Sequence, residues 1–95
     1  MRITDIVWKE RVVRKLGEKH GVSTAEAEEV LLSGPLVRKM AKGHVQGEDV
    51  YAALAQIDSG RRLIVFFINK KHGLALPISA RDMSLSERRY YERHR

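Results

Sequence analysis

Arg81 is the residue of this chain with the most evident chemical use. It closes the alternating stretch 74–81, and Glu87, Arg88 and Arg89 follow within eight residues. A guanidinium presents a planar fork of N–H donors that grips phosphate oxygens in pairs. A second group of reactive types is Lys19-His20-Gly21-Val22. An imidazole exchanges its proton near neutral pH. Tyr90 and Tyr91 add phenols. Together these side chains could bind an anion and move protons beside it. Each also has a structural use. Lys19 and His20 suit the last turn of a helix, where positive charge meets the dipole. Glu87 stands three residues after Ser84, the spacing of a capping box. The tyrosines could simply pack a helix onto a sheet.

Other chemistries are poorly supplied. Histidines 20, 44, 72 and 94 lie at least 22 residues apart and there is no cysteine, so no zinc site is expected. No phosphate-binding glycine loop occurs, and Ser79 stands in no nucleophile motif. Neither metal nor cofactor is expected. Without cysteine there are no disulfides, which fits a reducing compartment. The longest apolar run, 63–68, is too short to span a bilayer. The N-terminus has no signal-peptide run, and the last helix lacks the apolar face of a membrane-binding one. The expectation is a cytoplasmic chain, one domain over residues 1–95.

These groups need elements to hold them. Residues 3–8 alternate as a first strand. A helix over 9–20 follows, with Trp8, Val12, Leu16 and Val13 as its apolar stripe. Gly21 can close it in the left-handed conformation, with Val22 packing back. Ser23 caps a second helix, paired with Glu26 and striped by Ala27, Val30 and Leu31, until Gly34-Pro35 stops it. Strands are read over 36–42, 50–57, 62–69 and 74–81, with a loop at 43–47, a hairpin at Asp58-Ser59-Gly60 and a turn at 69–73. Leu63 to Phe67 is apolar on both faces, as in a doubly covered central strand. In 74–81, Leu74, Leu76, Ile78 and Ala80 alternate with Ala75, Pro77, Ser79 and Arg81. Pro77 demands an edge, a bulge or an end there. A helix begins at Ser84. The order β-α-α-β-β-β-β-α describes an α+β fold. Its sheet is mainly antiparallel, with two N-terminal helices on one face and a C-terminal helix.

Charge is uneven. Residues 1–33 carry six Lys/Arg and six Asp/Glu; residues 34–95 carry twelve and six, which is the whole formal +6. A basic half points to a polyanion, nucleic acid first, or to an acidic protein. Surplus cations that only keep a chain soluble give the same pattern.

Several pieces in order resemble the BrnT family of toxins. They are Trp8; Lys19-His20-Gly21-Val22 before an acidic helix; Gly60-Arg61 with Leu63 to Phe67; Ile78-Ser79-Ala80-Arg81; and Glu87-Arg88 with Tyr90 or Tyr91. The resemblance implies a RelE-like fold and a metal-independent endoribonuclease from a type II toxin–antitoxin pair. Its partners would be messenger RNA and a cognate antitoxin, with self-association or a mixed oligomer both open. RNA cleavage needs the 2′-OH deprotonated, the leaving oxygen protonated and the phosphorane charge neutralised. On this reading Arg81 binds phosphate, and His20, Glu87, Lys19 and Tyr90 are the further catalytic candidates. Arg38, Lys39, Arg61, Arg62, Lys70, Lys71, Arg88 and Arg89 are candidates for the nucleic-acid surface. The reading requires Arg81 and His20 to share one concave basic surface.

The chain departs from the family pattern in four places. Lys9 stands for an acidic residue, Leu16 for an asparagine and Glu48-Asp49 for an acidic–arginine pair, and 74–77 lacks an arginine. These leave an alternative: a catalytically eroded domain of the same fold that binds RNA or pairs with a protein.

Overall fold

The computed structural model describes residues 1–41 and 48–95. Lys42, the loop read at 43–47 and His44 therefore lie outside the described residues.

Five strands form one sheet in the order β1-β5-β4-β3-β2. They are β1 (Asp5–Ile6), β2 (Leu36–Ala41), β3 (Val50–Gln56), β4 (Arg62–Asn69) and β5 (Leu74–Asp82). Strands β2 to β5 pair antiparallel, each with its neighbour in sequence, as short turns dictate. The N-terminal strand is shorter than the sequence pattern predicts. It pairs parallel to β5 at only two positions, Asp5 with Leu74 and Ile6 with Ala75. Its lead-in is tied by Thr4 N–H to Gly73 O at 2.9 Å. That close approach requires glycine at 73: φ is +78°, and a Cβ there would stand 2.8 Å from Thr4 Oγ1.

The two N-terminal helices lie together on one face. Helix α1 (Glu10–Lys15) continues as one wider π turn over Leu16–His20. Gly21 ends it with φ 60°, ψ 30°, the left-handed terminus the sequence predicts. Val22 is buried behind it. Val12 and Leu16 are buried too, but Val13 is exposed. Trp8 packs against the core edge and donates from Nε1 to Glu28 at 2.7 Å. Helix α2 (Thr24–Leu32) starts with both halves of the Ser23/Glu26 capping box in place. Its Ala27, Val30 and Leu31 meet Ala53, Ala55, Leu63, Val65 and Phe67 of the sheet in the main core.

Helix α3 (Leu85–His94) covers part of the opposite face. Its Tyr90 and Tyr91 pack on Ala52, Leu54, Ile64 and Met83. The alternation of β4 thus serves both layers, and this central strand is covered on both sides, as its apolar composition requires.

One correction concerns β5. The register slips between Phe66/Ser79 and Phe67/Pro77, leaving Ile78 as an extra residue. This is the bulge that Pro77 made one of three expectations. It reverses the phase of the strand before it. Ala75, Pro77 and Ala80 are the buried positions, not the Leu74, Leu76, Ile78, Ala80 series. Beyond the bulge, Ala80 sits opposite Val65 and Arg81 opposite Ile64. Arg81 therefore faces α3.

Candidate active site

The junction of β5 and α3 brings the first charged pair together. Ser84 accepts from Glu87 N–H at 3.2 Å, and Glu87 Oε1 accepts from Ser84 N–H at 2.7 Å. The cap fixes the Glu87 rotamer. The same carboxylate takes both arms of Arg81, Nη1 at 2.6 Å and Nη2 at 2.9 Å. The guanidinium also lies 5.4 Å from the Phe66 ring centroid. The guanidinium is thus braced by a ring of the sheet and by a carboxylate of the helix. The Arg81 hydrogen bonds, aided by Ser84, hold the Glu87 carboxyl below the ordinary carboxylate range, and Glu87 in turn raises Arg81. Glu87 is ionised at neutral pH and, while so paired, is a weak base.

Beside this pair the sheet is incompletely covered. A groove of about 270 Å³ has Ala52, Leu54 and Ile64 on its floor, Arg38 and Met40 of β2 on one wall and Glu87 and Tyr90 of α3 on the other. Glu87 and Tyr90 are one helical turn apart, which puts them on one side of α3. The Arg38 guanidinium lies over the Tyr90 ring, 4.8 Å from its centroid. The His94 imidazole stacks on the same ring at 4.2 Å and contacts Tyr90 O through Nδ1 at 2.8 Å. Tyr91 pins the helix by accepting the Gln56 N–H at 3.3 Å.

Of the catalytic candidates, Glu87 and Tyr90 line the groove, and Arg81 is joined to it through Glu87. Lys19 and His20 do not join them. They end the π turn, whose Leu16 belongs to the core under α1 and α2. Arg81 rises from the other face of the sheet. No hydrogen bond or ion pair links His20 to Arg81 among the described residues. The expected pairing of those two groups on one concave surface is not met; the imidazole on the α3 side is that of His94, stacked on Tyr90 at the other end of the helix from the Arg81–Glu87 pair. The sequence reading missed His94 as the neighbour stacked on Tyr90. Its signal was the Tyr90/His94 spacing of four on a helix.

The basic candidates divide by occupancy. Arg61 is a structural clasp. Its Nη1 donates to Gly21 O and Glu26 at 3.0 Å, and its Nε and Nη2 donate to Asp82 at 3.3 and 3.1 Å. Asp82, then Glu26, raise its pKa further. A guanidinium so surrounded is not a phosphate site. Lys39 pairs with Asp49 at 3.0 Å and Lys70 with Glu48 at 2.6 Å. Arg62 reaches Glu92 at 3.5 Å. Arg88 and Arg89, both exposed, line an open trough with it on the outer side of α3. Lys71 is exposed on the turn before β5. Arg38 has no carboxylate partner among the described residues. These also include no group of three or more His, Asp or Glu able to hold a metal ion, and no helix long and apolar enough to cross a membrane.

Comparison with known proteins now bears on this arrangement. A family model described as "Ribonuclease toxin, BrnT, of type II toxin-antitoxin system" matches residues 8–87. The crystal structure of the Brucella abortus ribonuclease toxin BrnT aligns with a TM-score of 0.60 at 20% identity. The alignment covers 85% of this chain and 99% of that one, so the fold is shared. A comparison with curated proteins gives no match. The matched span runs from Trp8 to Glu87, the partner of Arg81, and takes in every strand from β2 to β5. The chain belongs to the BrnT family of ribonuclease toxins of type II toxin–antitoxin systems.

Proposed function

We propose that this chain is an endoribonuclease that cuts single-stranded messenger RNA in the groove between α3 and the sheet, in the cytoplasm, under restraint by a cognate antitoxin. The observation that carries the reading is the Arg81–Glu87 pair, whose carboxylate lines the groove wall. A guanidinium already holding a carboxylate in fork geometry holds a phosphate equally well. Phosphate binding deprives Glu87 of its counter-charge, so its carboxyl moves back up toward the ordinary range and becomes a better base. Glu87 then takes the proton of the 2′-OH. The 2′-oxygen bonds to phosphorus as the bond to the 5′-oxygen breaks, leaving a 2′,3′-cyclic phosphate. The departing oxygen takes its proton from solvent, since His94, at the other end of α3 from Glu87, stands about 10 Å along the helix. Arg81 neutralises the charge that builds on phosphorus. The steps call for no metal. Lys19 and His20 are given no part.

Incubation with single-stranded RNA in EDTA tests this. Cleavage to cyclic-phosphate ends is expected, and Arg81→Ala should cost about 10²–10³-fold, as loss of a charge-stabilising donor does. Expression should arrest growth, and the same substitution should relieve it. RNA left intact at high protein concentration, without arrest, would overturn the reading.

One observation favours a domain that binds without cutting: the imidazole of the Lys19-His20 hinge is carried on the far layer from Arg81. That reading predicts salt-dependent RNA binding, with a log–log slope of roughly 0.7 per neutralised phosphate, and no products.

A further inference from the structure

Among the described residues, Tyr90 is the one aromatic ring that lines the groove, and it is partly buried. Its ring packs against the apolar floor and carries the His94 imidazole stacked at 4.2 Å. Here a charged group lies over it: the Arg38 guanidinium from the edge strand, 4.8 Å away. Arg38 is exposed and, among the described residues, has no carboxylate to hold it there. The next residue along the strand, Lys39, does have one, Asp49. Among the described residues, the Tyr90 ring is the one partner that Arg38 shows, by cation–π attraction. Below the pair lie Ala52, Leu54 and Ile64, and one helical turn away stands Glu87 with Arg81 in its grip. A flat ring and an apolar floor in one groove, with a guanidinium fork held behind its wall by Glu87, complement a nucleotide in two parts: heterocycle and phosphate. At about 270 Å³ the groove falls below the ~300–1,000 Å³ of sites for drug-sized ligands, so it suits a single base rather than a duplex.

We infer that Tyr90 is the stacking platform for one unpaired RNA base, with Arg38 as its movable cover, while Arg81 takes a neighbouring phosphate. The inference rests on the RNA reading above and assigns a site within it. Relative magnitudes decide that the exchange is favourable. An exposed cation–π contact is worth a factor of about 2–5. A base stacked on an aromatic side chain is worth about 5–150 in affinity. A base can therefore lift Arg38 away and still gain, and the freed guanidinium can stack over it or reach the backbone. Stacking of this kind is tolerant of base identity, so the site orders the strand against Arg81 more than it selects a sequence.

The test uses two short uridylate oligomers whose 2′-oxygens are methylated, so that neither can be cut. One carries its bases and the other is abasic throughout. Affinities of the intact chain and of Tyr90→Ala and Tyr90→Phe are read by fluorescence anisotropy at fixed salt. The intact chain should prefer the base-bearing oligomer by about 5–150-fold. Tyr90→Ala should erase that preference while leaving the abasic affinity nearly unchanged, and Tyr90→Phe should keep it. Equal losses on both oligomers would mean that Tyr90 only supports the helix, and would overturn the inference. So would a preference that survives Tyr90→Ala, or an intact chain that binds neither oligomer. Cleavage assays answer separately: a base preference lost with Tyr90 in a chain that leaves ordinary RNA intact sinks the nuclease reading and keeps this site.

Discussion

Arg61→Ala offers the sharpest test of the fold's electrostatics. Arg61 was a candidate for the nucleic-acid surface, and the structure instead makes it a three-way tie between the π turn, α2 and the end of β5. The loss can be worked from its partners. The Glu26 pair, 29% and 26% exposed on its two side chains, should contribute about 1 kcal/mol. The Asp82 pair has one side chain 56% exposed, and screening discounts it to ~0.5 kcal/mol or less. The bond to Gly21 O adds ~0.5–1 kcal/mol, since water can replace the lost donor. The sum is about 2 kcal/mol, which lowers Tm by ~8–16 °C in a domain of this size. Thermal and urea unfolding of the two proteins measure it. A double-mutant cycle with Glu26→Gln should return about 1 kcal/mol of coupling. RNA affinity of the folded variant should keep its salt dependence. The reasoning is refuted if stability shifts by less than ~0.5 kcal/mol while the log–log salt slope drops by roughly 0.7, the signature of one lost phosphate contact.

Two further outcomes follow from the geometry. Gly73→Ala should destabilise by about 1–3 kcal/mol in urea, because φ is +78° and the new Cβ would meet Thr4 Oγ1 at 2.8 Å and Arg2 O at 2.9 Å; a change below ~0.5 kcal/mol would mean that the β1 lead-in simply moves aside. Glu87 has a folded pKa below its ordinary 4.5, chiefly through Arg81, so its contribution is present above that value and is lost as pH falls through the folded one. Glu87→Gln should therefore flatten the acid limb of stability below about pH 4.5 by no more than ~1 kcal/mol, Arg81 being partly solvated. Urea midpoints across pH 3 to 7 check this, and an unchanged acid limb would show the pair to be energetically idle.

The local signals in the sequence were reliable where short-range chemistry decides. Ser23/Glu26 and Ser84/Glu87 form the two capping boxes their spacing implies, and Gly21 takes the left-handed terminus. The doubly apolar run of β4 sits at the centre of the sheet. What failed depended on one residue of register or on tertiary choice of face. Period-two reading of 74–81 cannot see that Ile78 is extra, because the slip is fixed by pairing with β4 and not by β5 itself. Nothing local tells which face the hinge helix takes, so Lys19 and His20 could not be excluded from the Arg81 surface. Net charge counted Arg61, Lys39 and Lys70 as available cations, but each finds a carboxylate distant in sequence. Arg81 was legible as a functional candidate from its place at a strand-to-helix junction. Its grip on Glu87 was not, since the carboxylate was already accounted for by its cap.

The slip at Ile78 has a consequence for how relatives of this chain can vary. It divides β5 into two lengths with opposite parity. One is keyed to β1 through Leu74 and Ala75, and the other carries the guanidinium. Losing or gaining a single residue in the first length would turn its side chains over and mis-seat the amino-terminal edge, yet leave Arg81 aimed as before. Relatives should therefore be compared as two independent segments meeting at that point, since a gap placed elsewhere would equate residues that look out from opposite sides of the sheet.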